Sequence, residues 1–285
     1  MGAIFGLLRP KQWIKNVFVL GAIIFAGRLG DALLLGRVLL GFGIFCLVSG
    51  CVYIFNDLVD YEADSRHPAK RHRPIASGAV SLRQALGILF LLMVTAVLSA
   101  ACLSLGFLKV VLVYWLLNLF YCLYAKQAVI LDVVLIALGF VLRAAAGSFL
   151  IGESFLDISP WFLICTFFLA LFLALSKRRA ELVQCADKET RSVLRHYSLE
   201  MVNNFLSVIS SVLIISYSLY TFTCQHSGYL VLTIPLVIYG LFRYCYLLYS
   251  SCDMEAAELV IWQDKPLLLT VVLWILTCII IIYFA

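Results

Sequence analysis

Asn56, Asp57, Asp60 and Asp64 close a long apolar run, spaced so that Asp60 falls one helical turn from each of the others. On a helix these offsets set the four polar groups along one face over two turns. Three carboxylates converging at a membrane surface repel one another unless a cation joins them. An all-oxygen set without His or Cys suits Mg²⁺, which takes few carboxylates and completes its shell with water and phosphate oxygens. The segment that follows is basic, with Arg66, Lys70, Arg71 and Arg73 ahead of Gly78. Such side chains hold phosphate by charge-assisted hydrogen bonds. The spacing therefore predicts a metal site of Asn56, Asp57, Asp60 and Asp64, with the three aspartates as catalytic carboxylates beside a phosphate-binding loop. The same residues also read as a solvated, charge-balanced helix end. Their regular spacing directly after an apolar helix favours the chemical reading.

Other polar groups interrupt the apolar chain. Arg9-Pro-Lys-Gln-Trp-Ile-Lys-Asn16 opens it as a basic, aromatic interfacial segment. Lys15 and Asn16 either anchor it to headgroups or face a pocket between helices. Tyr121-Cys-Leu-Tyr-Ala-Lys126 ends one apolar run, and Asp132 lies in the first turns of the next. An ionisable group inside a span defaults to a functional site. Arg143 is about 16 Å deeper at helical rise and must pair or reach water. Lys177, Arg178 and Arg195 follow the sixth apolar run, either as a topological anchor or as a second phosphate-binding edge. Arg243 and Asp264 suit an ion pair at a membrane rim.

The elements that must carry these groups are membrane helices. The chain has 285 residues, of which 64% are hydrophobic and 13% charged, with a mean hydropathy of +1.05. That is half the usual charge content of a soluble chain. Apolar segments near 16–35, 37–56, 84–104, 107–125, 127–150, 159–176, 203–224, 228–249 and 266–285 are each long enough to cross a bilayer. They predict an all-α bundle of nine transmembrane helices in one domain, 1–285. Sixteen of the 21 Lys and Arg fall on one side of this arrangement. Only Arg28, Arg37 and Lys109 fall on the other. This asymmetry predicts a cytosolic N-terminus, an external C-terminus and a site open to the cytosol. The net charge of +5 reflects topology and gives no sign of nucleic-acid binding. The ten cysteines are scattered without a Cys-x-x-Cys pair and read as small buried hydrophobes.

Asn56-Asp57-x-x-Asp60-x-x-x-Asp64, followed by Arg71-x-Arg73-Pro74 and Gly78, resembles the first aspartate motif of the UbiA superfamily of intramembrane prenyltransferases. The resemblance covers essentially the whole chain. It implies a ring of helices around a central cytosol-facing cavity in the cell membrane, with Mg²⁺ and a diphosphate bound at the motif. Typical members carry a second Asp-x-x-x-Asp motif. Here Asp132 is followed by Ile136, and Tyr121 to Lys126 stand upstream instead. That departure, with the opening segment and Ser176-Lys-Arg-Arg-Ala-Glu181, is similar to the branch that transfers phosphoribosyl groups. For that branch it implies 5-phosphoribosyl diphosphate as donor and a polyprenyl phosphate as acceptor. The implied substrate-binding set is Lys15, Asn16, Lys70, Arg71, Arg73, Tyr121, Lys126, Asp132, Lys177, Arg178 and Arg195. Two alternatives stay open: prenyl transfer from a prenyl diphosphate to an aromatic or lipid acceptor, and a transporter with acidic groups on an ion path. A transporter usually places such groups near the midplane, which these do not occupy. The chain is also compatible with a homo-oligomer.

Overall fold

The computed structural model describes residues 2–68, 70–152, 159–184, 192–224, 227–250 and 260–284. Lys188 and Arg191 of the basic side lie outside them. Every regular element among the described residues is helical. Short α1 (Gly2–Leu7) leads into a 3₁₀ helix (Pro10–Val17) and α2 (Phe18–Phe25). Then come α3 (Ala32–Val59), α4 (Tyr61–Arg66), α5 (Leu82–Leu103), α6 (Leu105–Leu123) and α7 (Leu131–Leu150). The chain closes with α8 (Pro160–Gln184), α9 (Leu199–Thr223), α10 (Ser227–Leu230), α11 (Ile234–Ser250), α12 (Val260–Gln263) and α13 (Lys265–Phe284).

Eight of these, α3, α5, α6, α7, α8, α9, α11 extended from Val231, and α13, are long and apolar enough to cross a membrane. The first expected span, 16–35, is not one helix. Arg9, at φ 47° and ψ 64°, turns the chain into the 3₁₀ helix, and Gly27 at φ 67° ends the turn after α2. Contacts of Arg9 with Asp57 and of Asn16 with Ser49 show the segment running antiparallel along α3.

Side-chain caps start five of the long helices. Asp31 accepts from Leu33 N and Leu34 N at α3, and Ser81 forms a capping box with Gln84 at α5. Ser104, Ser198 and Asp264 begin α6, α9 and α13 in the same way. Each satisfies backbone donors that a helix start leaves open.

The chain forms two compact units. The first comprises Met1–Lys126 and Leu142–Ile158, the second Gln127–Val141 and Ser159–Ala285, so α7 contributes a half to each. In the first unit, Val19, Ile23, Phe45, Val48, Phe107 and Leu150 anchor the main core. A smaller cluster of Leu7, Ile54, Ile75, Val80 and Ala85 roots the basic 67–80 segment onto α3 and α5. In the second unit, α8, α9 and α11 bury Phe172, Leu175, Leu206 and Tyr244 together. The most apolar window of α3 is 61% buried and that of α5 only 11%, so α5 gives most of its surface to lipid.

Candidate functional site

The first unit gathers the acidic motif and most of the expected cations. Asp57 lies in the last turn of α3 and Asp64 in α4, on either side of Asp60, whose φ of −91° and ψ of 6° separate the two helices. Asp57 and Asp64, 3% and 2% exposed, turn inward onto one guanidinium. Arg73 Nη1 donates to Asp57 Oδ1 at 3.0 Å and to Asp64 Oδ2 at 2.5 Å. Arg9 Nη2 donates to the same Asp57 oxygen at 2.5 Å, its guanidinium stacked 5.1 Å over Tyr53. Lys70 Nζ stands 3.8 Å from Asp64 Oδ1. Asp60 instead pairs with Lys126 and lines an open cavity of about 460 Å³ with Tyr61, Glu62 and Arg66. Asn56 accepts from Cys122 Sγ at 3.5 Å and Tyr121 is half-buried.

The four groups thus divide by partner: two buried carboxylates share a cation, a third has its own, and Asn56 meets a cysteine. Arg71 is exposed and Lys15 half-buried. Asn16 is fully buried, accepting from Arg143 Nε at 2.8 Å and donating to Ser49 Oγ at 3.0 Å. Arg143 also donates to Tyr114 OH at 2.7 Å and lies over its ring. This polar network ties the N-terminal segment to α3, α6 and α7, and it places Asn16 away from open solvent.

Arg9 was absent from the sequence-derived set. It is a non-glycine residue in the left-handed region immediately before proline, where such a conformation is disfavoured. Its place at the head of a basic motif was the one available signal. Its partner lies 48 residues away.

In the second unit Asp132 is fully buried and Arg178 is 2% exposed. Arg178 Nε donates to Asp132 Oδ2 at 2.9 Å, and its Nη1 to Glu181 Oε2 at 2.6 Å. The Tyr197 hydroxyl donates to Asp132 Oδ1 at 2.7 Å and accepts from Ile130 N, whose residue is held at φ 70°. Burial, and then the bond to the Asp132 carboxylate, push the Tyr197 hydroxyl above its usual pKa. Both Asp132 oxygens are engaged, so this group is a closed polar lock. Lys177 and Arg195 are exposed. Arg243 and Asp264 form a two-point pair at 2.8 and 3.2 Å. A larger groove of about 510 Å³ on α11, lined by Pro235, Ile238, Tyr239, Phe242, Tyr246 and Arg243, is mostly apolar, and its one charged group is already paired with Asp264.

A Mg²⁺ ion fits the first unit by its donors. Asp57 and Asp64 supply hard oxygens that already converge on one cationic nitrogen. No group of three acidic, His or Cys side chains is assembled for a metal among the described residues. Mg²⁺ commonly binds through one or two carboxylates plus substrate phosphate and water, so two suffice.

The chain is similar to known proteins over most of its length. The model of the UbiA prenyltransferase family matches residues 16–263. A decaprenyl-phosphate phosphoribosyltransferase of Corynebacterium glutamicum is 33% identical, over 97% of this chain and 85% of that one. The protein of the same name in Mycolicibacterium smegmatis is 32% identical, over 98% and 92%. The structure of a UbiA homologue from Archaeoglobus fulgidus bound to GPP and Mg²⁺ superimposes with a TM-score of 0.75 at 20% identity, covering 98% of this chain and 99% of that one. That likeness shows a shared all-helical membrane fold.

Proposed function

The chain belongs to the UbiA prenyltransferase family, and on that premise we propose that it transfers a 5-phosphoribosyl group from 5-phosphoribosyl diphosphate to a polyprenyl phosphate, of decaprenyl type, releasing diphosphate. The observation that carries the reading is the excess of cations in the first unit. Four cations among the described residues, Arg9, Lys70, Arg73 and Lys126, pair with three carboxylates, Asp57, Asp60 and Asp64. A phosphoribosyl donor brings a diphosphate and a separate 5-phosphate, and so needs cations beyond those that a prenyl diphosphate would. The two full-length relatives that carry this activity in their names support the same substrates.

Asp57 and Asp64 would hold the metal, with Asp60 at the rim. When bound, Mg²⁺ draws charge from the departing diphosphate. The remaining work is positioning and electrostatics by the chain's own groups. Arg73, Lys70 and Lys126 orient the donor phosphates, with exposed Arg71 within the same loop. A phosphate oxygen of the acceptor attacks the anomeric carbon as its bond to the diphosphate oxygen breaks. The acceptor phosphate is largely ionised at neutral pH, with a second pKa near 6 by analogy with phosphorylated side chains, so no strong general base is required. Asp132, Arg178 and Tyr197 act as supports for the start of α7. The polyprenyl tail lies in the bilayer against aliphatic helix faces. Soluble phosphoribosyl diphosphate places the site on the cytosolic side, and the product serves as a lipid-linked sugar for the cell envelope.

The test offers purified protein both substrate classes in competition: phosphoribosyl diphosphate with polyprenyl phosphate, and a prenyl diphosphate with an aromatic acceptor. Mass spectrometry should find the phosphoribosylated lipid. A prenylated aromatic product alone would replace this reading with ordinary prenyl transfer.

A further inference from the structure

One nitrogen of Arg73 stands between two buried carboxylates, 3.0 Å from Asp57 and 2.5 Å from Asp64. Two such carboxylates without a cation would raise each other's energy sharply. Arg73 between them compensates their charge from within the chain. A bare Mg²⁺ ion would have to expel that guanidinium and dehydrate, gaining only two carboxylates in exchange. The balance changes when phosphate oxygens arrive with the ion, because a guanidinium binds phosphate as well as carboxylate through its planar fork.

The surroundings allow the side chain to move without its backbone. Arg73 N donates to Lys70 O at 2.9 Å and Ser77 N to Arg73 O at 2.8 Å. Ile75, two residues on, is buried with 1% exposure. The Arg73 side chain itself is 25% exposed, so its head reaches solvent beside the acids. Arg9 differs. Its left-handed backbone and its stacking on Tyr53 aim it at Asp57 as a fixed partner.

We propose that Arg73 is a built-in counter-ion that keeps the place between Asp57 and Asp64 and yields it only to a divalent ion accompanied by diphosphate, its guanidinium then passing from carboxylate to phosphate oxygens. Binding is thereby ordered: the chain takes the metal with the diphosphate and resists the metal alone. The proposal rests on the reading that these acids receive a Mg²⁺–diphosphate group.

Equilibrium dialysis of the full-length protein in detergent, with Mn²⁺ as stand-in for Mg²⁺ and inorganic diphosphate as second ligand, tests it. The wild type should retain Mn²⁺ weakly alone and at least tenfold more tightly with diphosphate. Arg73→Gln should bind Mn²⁺ alone at least tenfold more tightly than wild type and gain less from diphosphate. Arg73→Lys keeps the charge, loses the fork and should fall between, which carries the test should the Gln variant not fold. Mn²⁺ should also raise the thermal midpoint of the variants more than that of the wild type. Unchanged affinity of both variants for Mn²⁺ alone, with diphosphate still recruiting it to the wild type, overturns the counter-ion role and leaves the site reading intact. No Mn²⁺ on the wild type even with diphosphate overturns both.

Discussion

At the scale of single residues, the cations are the discriminating feature. Lys126 meets Asp60, on the carboxylate left outside the Arg73 pair. A charge-assisted contact to phosphate is worth about 1.5–3 kcal/mol, so Lys126→Ala should raise the apparent donor constant roughly ten- to a hundredfold. Steady-state kinetics that show a raised acceptor constant and an unchanged donor constant would assign Lys126 to the lipid phosphate instead. Tyr197 gives a separate prediction, about stability. Its folded pKa is raised, so the neutral hydroxyl adds stability that is fully present below the unfolded value near 10 and fades as pH climbs past it. Tyr197→Phe should lower stability by about 1–3 kcal/mol at neutral pH, because Asp132 loses a buried donor. It should also flatten the loss of stability above pH about 10. Thermal unfolding followed from pH 7 to 11 checks both halves, and an equally steep alkaline loss in the variant would remove Tyr197 from the account.

At the scale of elements, close approach matters more than propensity. A Cβ on Gly147 of α7 would fall 2.1 Å from the Val19 carbonyl oxygen and 3.0 Å from Ala22 Cβ on α2. Small residues at such crossings let membrane helices pack backbone to backbone. Gly147→Ala should therefore destabilise by about 1–3 kcal/mol through overpacking. Gly87→Ala on α5, with nothing within 4 Å, should be near neutral. A thermal-shift comparison of the two decides it, and equal midpoints would mean that α2 yields easily. Much of this layer is legible in the sequence. The apolar runs locate eight crossings. The first segment is not, because its path depends on Arg9 adopting a conformation that hydropathy does not register. Within the site, the offset between Asp57 and Asp64 is readable as a shared face. The partnership of Asp60 with Lys126, across 66 residues, is tertiary and leaves no trace in local spacing.

At the scale of the whole molecule, the count of crossings sets which groups share an aqueous side. Five candidate spans separate Ser65 from Ser227, an odd number, so the two should lie on opposite faces however the N-terminal segment is counted. On a background with the ten native cysteines removed, Ser65→Cys should resist an impermeant thiol reagent in intact cells while Ser227→Cys labels at once. Ready labelling of position 65 would turn the site away from soluble phosphoribosyl diphosphate and end the proposed mechanism. The N-terminus is a second measurement. The 3₁₀ helix and α2 together rise about 28 Å, close to the ~30 Å hydrocarbon thickness, so a crossing places the N-terminus on the Ser65 side.

The bond between Arg143 and Asn16 joins residues 127 positions apart. At ordinary elongation rates, roughly 6–25 s pass between the emergence of one and of the other. Through that interval the Asn16 amide oxygen lacks its Arg143 donor, although the contacts of this segment along α3, Arg9 with Asp57 and Asn16 with Ser49, join residues already made. The polar network around Asn16 is thus completed only once α7, the fourth of the eight long helices, has been made.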